Sequence, residues 1–408
     1  MPTQNLPAYE AYLRARNVYF SANYSRTHEA EAQPWLEQAI ALDPNYVDAY
    51  VLLASIYGQL YWRGLDTSEQ GLEKYRAVLE KARKLNAESP SALRAMANYH
   101  YRVENDYQAS LEMLNKAQEL APGDVDTVGD LGSTLRRLGR FDESIASYRR
   151  ALELDPANRH YLALLLETMG FVGDWRGIID HSLPLEQADP QDLDIQLMRA
   201  GAQFNLTGDL GPLDRTLQKM QLDSTYYYGI FSTRAYWYRR DAESVIATLN
   251  NPVWEQLVLQ PDSQLFSLYV LANAYRLKGD KIKADETFEE IVVTKDSALN
   301  SSLQISVYGG MTVALALARL GRHDEARALT EQFINQVPWD RDAMLAGRVR
   351  VQQAMITGLA GDKDAAAEQL SRAMQAPSSL KLSAWDLRMD PNWDFMRDNP
   401  KFQALATP

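Results

Sequence analysis

Apolar and small side chains recur at spacings of three and four through most of the chain. The stretch from Phe141 to Leu152 shows the pattern clearly, with Tyr148 on the same face. This spacing predicts an amphipathic α-helix that packs one face against a core. Gly139 before the stretch and Pro156 after it both end helices, glycine by adopting a left-handed conformation and proline by lacking an N–H. The pattern therefore predicts short helices joined by tight turns.

Proline positions reveal an internal repeat. Pro122, Pro156 and Pro190 each follow a helical stretch, and successive members are 34 residues apart. The residues before them are similar, and a further Leu-Asp-Pro ends at Pro44. A period of this length indicates a repeat of two helices, which cannot bury its apolar face unless neighbouring copies stack on it.

The unit from Val125 to Pro156 resembles a tetratricopeptide repeat. Its small, aromatic and proline residues follow that family's order, with Gly132, Phe141 and Pro156 among them. The resemblance implies an all-α fold, an α–α superhelix (TPR solenoid) of about ten helix pairs closed by a C-terminal capping helix. It also implies a concave face formed mainly by the first helix of each pair.

The chain divides into four parts according to how closely each stretch follows the repeat pattern. We predict an N-terminal array of about six helix pairs over 1–224, with insertions in the first two pairs. A degenerate helix pair follows over 225–260, and a C-terminal array of three pairs spans 261–376. Residues 377–408 are expected to form a cap, because the exposed end of a stacked array must be covered.

The balance of charges excludes some classes of partner. Acidic residues number 54 and basic residues 42, which gives a net charge of −12. A protein that neutralises phosphates needs the opposite excess, so the sequence predicts no direct contact with nucleic acid. No apolar run approaches the roughly 18 residues that span a bilayer, so we expect a soluble chain without membrane insertion, cytoplasmic or periplasmic. The absence of cysteine excludes disulfides and thiol catalysis.

No pattern in the sequence indicates catalysis. The five histidines are dispersed, and none forms the His-Glu-x-x-His pair that holds zinc on one helical face. Six glycines occupy one position of the repeat, where a helix stop explains them without a bound phosphate: Gly139, Gly173, Gly208, Gly279, Gly321 and Gly361. The sequence therefore predicts that the chain is not an enzyme and uses no metal and no cofactor.

The concave face is the predicted binding surface. In tetratricopeptide arrays, ligand contacts come mainly from fixed positions of the first helix of each pair, and the resemblance transfers that expectation here. The side chains at these positions are aromatic, basic or amide groups: Tyr99, Arg102, Arg136, Arg137, His160, Asn205, Tyr227, Arg234, Trp237, Tyr238, Tyr269, Asn273 and Arg276. Aromatic and arginine side chains dominate many interfaces, and arginine binds carboxylates through two hydrogen bonds. We therefore expect a groove for a protein or peptide segment with apolar and acidic groups.

Other readings of these residues and of the array remain open. Tyr226–Tyr228 and Tyr236–Tyr238 are consecutive, so only part of each triplet can face the groove, and the others would pack between helices. In a different class of function, the array would be a structural scaffold that joins identical copies through its terminal repeats or its cap. A third alternative is an accessory region that presents a substrate to a separate catalytic domain.

Both ends of the chain are similar to segments of larger bacterial regulators. The start, from Pro2 to Arg16, is similar to the junction at which a signalling domain precedes a tetratricopeptide array. The tail, from Leu387 to Leu405, is similar to the way in which many such arrays end. In those proteins the signalling domain is a winged-helix DNA-binding domain, a nucleotide cyclase or a Ser/Thr kinase. The resemblance implies that the chain is the sensory or effector part of such a regulator, with Met1 an added start on a fragment.

Overall fold

The regular elements of the protein are helices. The structure is a computed structural model that describes residues 3–19, 28–220, 226–257, 261–299 and 301–408, without the side chains of 28, 226–230, 255–257, 297 and 298. Within these ranges no β-strand occurs. The predicted all-α fold class is therefore confirmed, and no helix in the described ranges is both long and apolar enough to cross a membrane.

The chain divides into two compact units. The first unit comprises Met1–Tyr161 with Ser301–Gln304, and the second comprises Leu162–Asn300 with Ile305–Pro408. This boundary differs from the four parts that the repeat pattern suggested, and that finer division stays a prediction.

The first unit is built from successive helices that pack as neighbours, as α1 does on α2 and α7 on α8. Its helices are α1 (Leu6–Tyr19), α2 (His28–Leu42), α3 (Val47–Trp62), α4 (Glu69–Leu85), α5 (Pro90–Tyr99), α6 (Tyr107–Leu120), α7 (Val125–Arg137) and α8 (Phe141–Leu154). A π-helical turn, His100–Glu104, extends α5. The next helix, α9 (Arg159–Val172), begins in this unit and continues in the second.

The second unit repeats the arrangement, with α16 against α17 and α21 against α22. Its helices are α10 (Trp175–Ala188), α11 (Leu193–Thr207), α12 (Gly211–Leu217), α13 (Tyr226–Tyr238), α14 (Ala242–Leu249), α15 (Pro252–Leu257), α16 (Pro261–Lys278), α17 (Lys281–Val293), α18 (Lys295–Leu299), α20 (His323–Gln336), α21 (Ala343–Leu359), α22 (Lys363–Gln375), α23 (Ala384–Met389) and α24 (Pro400–Leu405). Helix α19 (Leu303–Arg319) begins in the first unit and continues in the second. If the short α15 and α18 are set aside, the described residues from α1 to α22 contain twenty helices, which agrees with the predicted number of about ten pairs.

Aspartate caps and left-handed glycines recur at the turns between successive helices. The Asp124 side chain accepts the N–H of Thr127 at the start of α7, and Asp280 does the same for Lys283 at α17. Such caps satisfy N–H groups that have no partner within the helix. All six repeat glycines have positive φ values, between 72° and 103°. The prediction that these glycines end helices in the left-handed conformation is confirmed.

Close helix packing in the first unit depends on two glycines of α7. A Cβ at Gly129 would lie 2.0 Å from the ring of Tyr161, and one at Gly132 would lie 2.8 Å from the ring of Tyr148. Both rings are buried, so each glycine provides space that a tyrosine from a neighbouring helix occupies. The small position that the repeat pattern assigned to Gly132 thus has a direct packing cause.

The C-terminal residues return to the array after α22. Helix α24 packs on α22, where the Asn399 side chain donates to Asp364 at 2.6 Å and Lys401 pairs with Glu368 at 2.6 Å. Phe402 is 1% exposed there. The expected C-terminal capping helix is therefore present, although it forms only the last part of a longer segment.

Candidate partner-binding surface

Three of the predicted residues lie together in the first unit. Arg102 lies over Gly58, where a Cβ would meet its Nη1 at 3.0 Å. Burial lowers the pKa of His160, and the nearby positive charges of Arg136 and Arg102 lower it further. The π-helical turn after α5, together with α7 and α9, thus brings two guanidinium groups towards one imidazole. This cluster favours a neutral His160, although the charge of Asp126 opposes the shift.

A polar network lies beside this cluster. Arg94 faces Asp126 at 3.4 Å and Asp130 at 3.7 Å, distances too long for strong hydrogen bonds. Asn98 donates to Asp130 at 3.0 Å, and Tyr161 donates to Asp126 at 3.1 Å. Burial raises the pKa of Asp130, although Arg94 and Arg102 oppose the rise. The first unit therefore presents mixed charges rather than a purely basic surface.

Two other predicted residues of the first unit face neighbouring helices. The Tyr99 hydroxyl accepts a hydrogen bond from Arg76 on α4 at 2.9 Å. Arg137 is only 2% exposed, donates to the Tyr101 hydroxyl at 2.9 Å, and lies 5.3 Å from the centre of the Trp62 ring. These contacts are those of packing residues. The two adjacent arginines of α7 thus have different environments, which the sequence alone does not distinguish.

In the second unit, a cluster of predicted residues contacts the chain's own C-terminal segment, Ser383–Asp394. Arg234 on α13 donates to Asp386 at 2.5 Å and to Asn205 on α11 at 3.0 Å. The Tyr238 hydroxyl also donates to Asp386 at 2.5 Å. Asp386 is 2% exposed, and its carboxylate also accepts the N–H and the hydroxyl of Ser383, at 2.7 and 2.8 Å. Ser383 completes the site by donating to Asn205 at 3.3 Å.

Two further aspartates of the segment meet the end of α13. The Trp237 indole donates to Asp390 at 2.7 Å. Arg240 forms two parallel hydrogen bonds with Asp394, at 2.6 and 2.7 Å, the geometry that makes arginine–carboxylate pairs strong. We call the set Asn205, Arg234, Trp237, Tyr238 and Arg240 the aspartate groove. It contains four residues predicted from the sequence, together with Arg240, which the sequence analysis did not single out.

Arg240 has an unusual backbone conformation. Its φ is 61°, in the left-handed region, at the position where six other repeats carry glycine. A non-glycine residue there costs on the order of 1–3 kcal/mol and persists only where other contacts compensate. In this repeat the compensating contact is the two-bond pair with Asp394. The departure from glycine marks Arg240 in the sequence, a departure it shares with Asn105, which has a φ of 54° at the same position before α6.

The charges in the groove alter the ionisation of its members. Burial acts to lower the pKa of Arg234, but Tyr238 and Asp386 outweigh it, so the pKa is raised overall. Burial raises the pKa of Asp390 to about 6, against the hydrogen bonds from the Asn392 N–H and from Trp237. Asp390 is therefore the group of this site that titrates in the mildly acidic range.

The raised pKa of Asp390 gives a testable pH dependence. The folded chain holds the Asp390 proton more tightly than the unfolded chain, whose carboxyl has the ordinary value of 3.8. The contribution of Asp390 to stability is therefore fully present below about pH 4 and decreases as the pH rises through about 6. In urea unfolding, we expect the advantage of the natural chain over Asp390→Asn to fall by about 2 kcal/mol across this range.

Asp394→Asn provides the opposite control. Although burial acts to raise the pKa of Asp394, hydrogen bonds from Arg240 and Arg397 lower it overall. The advantage of the natural chain over Asp394→Asn should therefore grow as the pH rises through the acid range. Parallel pH profiles for the natural chain and both variants would contradict the contacts described for these two carboxylates.

Apolar contacts accompany the aspartates. Leu387 is fully buried, and the Trp385 indole donates to the Leu206 carbonyl at 3.3 Å. The Trp385 ring lies directly over Gly208, where a Cβ would come within 2.4 Å of it. Upstream of the segment, the Ser378 N–H donates to the Phe171 carbonyl at 3.0 Å. The segment is thus held by both apolar and acidic side chains.

The remaining predicted residues lie away from the aspartate groove contacts. Tyr269 is buried beside Met355, with its hydroxyl 3.8 Å from the sulfur. Asn273 is buried and donates to the backbone carbonyl of Tyr269 in its own helix, at 2.7 Å. Arg276 is exposed, and desolvation together with the charge of Arg319 lowers its pKa. The side chain of Tyr227 lies outside the described residues.

The sequence analysis does not identify Ser383–Asp394 as the segment that fills the aspartate groove. Asp386, Asp390 and Asp394 stand four residues apart in a tail that also carries Trp385 and Leu387. That spacing, in a segment with apolar side chains, is the available signal. The sequence pattern alone assigns the segment only to the cap. Their partners lie about 150 residues earlier in the chain, which no local pattern reveals.

The helix pairs and their recurring glycine turns form an all-α repeat array, and one of its units resembles a tetratricopeptide repeat. Residues 126–158 match the family model for the tetratricopeptide repeat, in the unit that shows the repeat pattern most clearly. No curated protein matches the chain.

Two solved structures are similar to parts of the chain. One is YrrB, described as a TPR protein with an unusual peptide-binding site, at 17% identity, covering 45% of this chain and 89% of YrrB, with a TM-score of 0.33. The other is pilF of Pseudomonas aeruginosa, at 13% identity, covering 72% of this chain and 96% of pilF, with a TM-score of 0.28. Both TM-scores are low, and neither likeness carries an argument about binding.

Proposed function

We propose that the chain is a non-catalytic interaction module that captures a segment of another protein on the concave surfaces of its helix pairs. The single observation that supports this proposal most is the way in which Arg234, Trp237 and Arg240 hold three carboxylates of the chain's own tail. A surface that selects acidic and apolar groups on one polypeptide segment has the chemistry needed to select them on another.

The biological setting is a second part of the proposal. We propose that the module is the sensory or effector part of a bacterial signalling regulator. The support is the similarity of both chain ends to the repeat portions of such regulators, described above from Pro2 to Arg16 and from Leu387 to Leu405. The coding sequence immediately before Thr3 tests this part, since a signalling domain there is the expected result. A native start at Met1 without such a domain would refute it.

The binding proposal is tested by selecting peptides that the chain captures. Displayed random peptides are panned on the full-length chain and on the loosened chain, Asp386→Asn/Asp394→Asn, in which two charges of the C-terminal segment are removed. Fluorescence polarisation then measures the affinity of selected peptides. We expect saturable binding of peptides that combine acidic and apolar residues.

Two substitutions locate the captured peptides. Arg102→Ala removes a guanidinium from the cluster of the first unit, and Arg240→Gly removes one from the aspartate groove and installs the residue used by the sibling repeats. Binding that falls with either variant supports the proposal and assigns the surface. If no peptide binds saturably to the natural or the loosened chain, the module does not capture protein segments in this way.

The alternative of a self-associating scaffold has its own measurement. Size-exclusion chromatography with light scattering reports whether the natural chain forms a larger assembly as its concentration rises. A monomer at all concentrations would count against the scaffold and leave the interaction module as proposed.

A further inference from the structure

We propose that the second unit binds a free α-amino acid with an apolar side chain between α16, α19 and α21, where Asp262 accepts its ammonium group and Arg348 donates to its carboxylate. This inference goes beyond the proposed function, since it assigns a small ligand to residues that take no part in the aspartate groove. The residues that carry it are Asp262, Phe266, Tyr308, Arg348 and Gln352, which we call the zwitterion site.

Two helices present opposed faces at this site. The Tyr269 hydroxyl of α16 lies 3.8 Å from the Met355 sulfur of α21, and both side chains are buried. Asp262 precedes Tyr269 by seven residues in α16. Arg348 precedes Met355 by the same number in α21. Seven residues make about two helical turns, so Asp262 and Arg348 lie on the two opposed faces, each two turns away from the closed contact.

The opposite charges on these faces do not form an ion pair. Asp262 is 7% exposed, and its Oδ1 accepts no hydrogen bond within the described part of the chain. Burial raises its pKa to about 6, although the N–H of Ser263 and the charge of Arg348 act to lower it. The Nε of Arg348 is likewise buried without a partner among the described residues. Since an unpaired buried charge is costly, a group that bonds to both side chains would be stabilised between them.

The unfilled donors and acceptors select a zwitterion. Gln352 is 4% exposed, lies one turn after Arg348, and has an Oε1 without a donor in the described ranges. The Asp262 and Gln352 oxygens both accept hydrogen bonds, and a primary ammonium group has several N–H donors to give. Arg348 offers N–H donors, and its guanidinium lies 4.5 Å from the centre of the Tyr308 ring, which restricts its orientation. An ammonium and a carboxylate on one carbon, as in an α-amino acid, satisfy both sides.

An exposed aromatic ring determines the kind of side chain. Phe266 lies four residues after Asp262 and three before Tyr269, on the same face of α16. It is 46% exposed, whereas its two neighbours along this face are buried. A partly exposed phenylalanine next to a binding group for an ammonium offers an apolar surface that a ligand side chain can cover. We therefore expect an apolar amino acid rather than an acidic or a basic one.

Isothermal titration calorimetry of the full-length chain with each common L-amino acid tests the site. We expect saturable binding of at least one member of the group leucine, isoleucine, valine, methionine and phenylalanine. The N-acetyl derivative of that amino acid lacks the ammonium charge, and its amide lacks the carboxylate. Each derivative should bind at least about tenfold more weakly than the free amino acid, because one charge-assisted contact is lost.

Substitutions assign each charge of the ligand to one side chain. Asp262→Asn should weaken the binding of the best amino acid at least about tenfold. Arg348→Met should do the same for the free amino acid and change the affinity of its amide much less, since the amide has no carboxylate to lose. Asp324→Asn is the matched control, because it removes a fully exposed carboxylate from the same unit, and it should leave binding unchanged.

The unliganded variants show whether a loss of binding reflects the site or the fold. At about pH 8 the Asp262 carboxyl is ionised, so replacing it with asparagine removes a buried charge and should leave the thermal midpoint unchanged or raise it. Circular dichroism records the midpoint and the helical content. Should Asp262→Asn unfold, Gln352→Met replaces it, because methionine fills the volume of the amide without its acceptor, and binding should fall several-fold.

Several results would overturn the inference. Absence of saturable binding by every amino acid would leave these polar groups to water. Undiminished binding to the folded variants of Asp262, Arg348 and Gln352 would place the ligand elsewhere. Equal affinity for the amino acid and its N-acetyl derivative would remove the ammonium from the contact with Asp262, and a preference for acidic or basic amino acids would contradict the contact with Phe266. Peptide capture is measured with other variants, so the proposed function does not fall with this inference.

Discussion

Replacing Arg234 with methionine is expected to lower the free energy of unfolding of the second unit by about 3–5 kcal/mol, since removing one partner of a buried ion pair leaves the other charge uncompensated. Asp386 would be that charge, because it is 2% exposed and receives hydrogen bonds from Arg234 and Tyr238. Urea unfolding followed by circular dichroism gives the measurement.

Two companion variants make the result specific. Arg140→Ala removes an exposed pair with Glu143 of similar length, 2.6 Å, and should cost less than about 1 kcal/mol. Adding Asp386→Asn to Arg234→Met should recover part of the loss, because the unpaired charge disappears. A cost at Arg234 no larger than at Arg140 would mean that Asp386 is not buried against α13 in solution.

Gly208→Ala is expected to destabilise the second unit by about 2–4 kcal/mol, and Gly279→Ala by only about 1 kcal/mol. Both glycines have left-handed backbones, with φ values of 72° and 88°, so both substitutions carry the same conformational cost. Only Gly208 lies under Trp385, whose ring a Cβ would approach within 2.4 Å, whereas a Cβ at Gly279 would meet nothing within 4 Å.

The difference between the two glycine variants isolates the docking of the tail. In a Trp385→Ala background the extra cost at Gly208 should disappear, because the added methyl group then enters vacant space. Thermal unfolding of the four chains measures this cycle. Equal costs at Gly208 and Gly279 in the natural background would place Trp385 away from α11.

The repeat architecture could be predicted because its causes are local. The period of 34 residues, the caps such as Asp124 and the glycine stops such as Gly139 all act within one or two helix turns. Each of these features is visible in the sequence at the place where it acts, and it recurs in neighbouring repeats. For the same reason the helix pairs and their number were accessible without coordinates.

The site was only partly predictable because its causes are distant in sequence. Position in the repeat identified Arg234 and Trp237 as groove residues, but it also selected Arg137, which packs against aromatic rings instead. The side chains of neighbouring residues on a helix point in directions about 100° apart. In a degenerate repeat the register is uncertain by a residue, so the pattern does not decide which of two neighbours faces the groove. The pairing of Asp386 with Arg234 spans 152 residues and has no periodic signature.

The return of the C-terminal segment to α11 and α13 changes how the second unit should fold. A simple repeat array gains stability from adjacent copies alone and can lose its end repeats one at a time. Here the contacts of Asp386 and Trp385 join residues that are 152 and 179 positions apart in the sequence. The C-terminal segment therefore packs against helices that are synthesised much earlier. We therefore expect the second unit to unfold as a single cooperative block. During translation, its groove would remain open until residues 383–394 have left the ribosome.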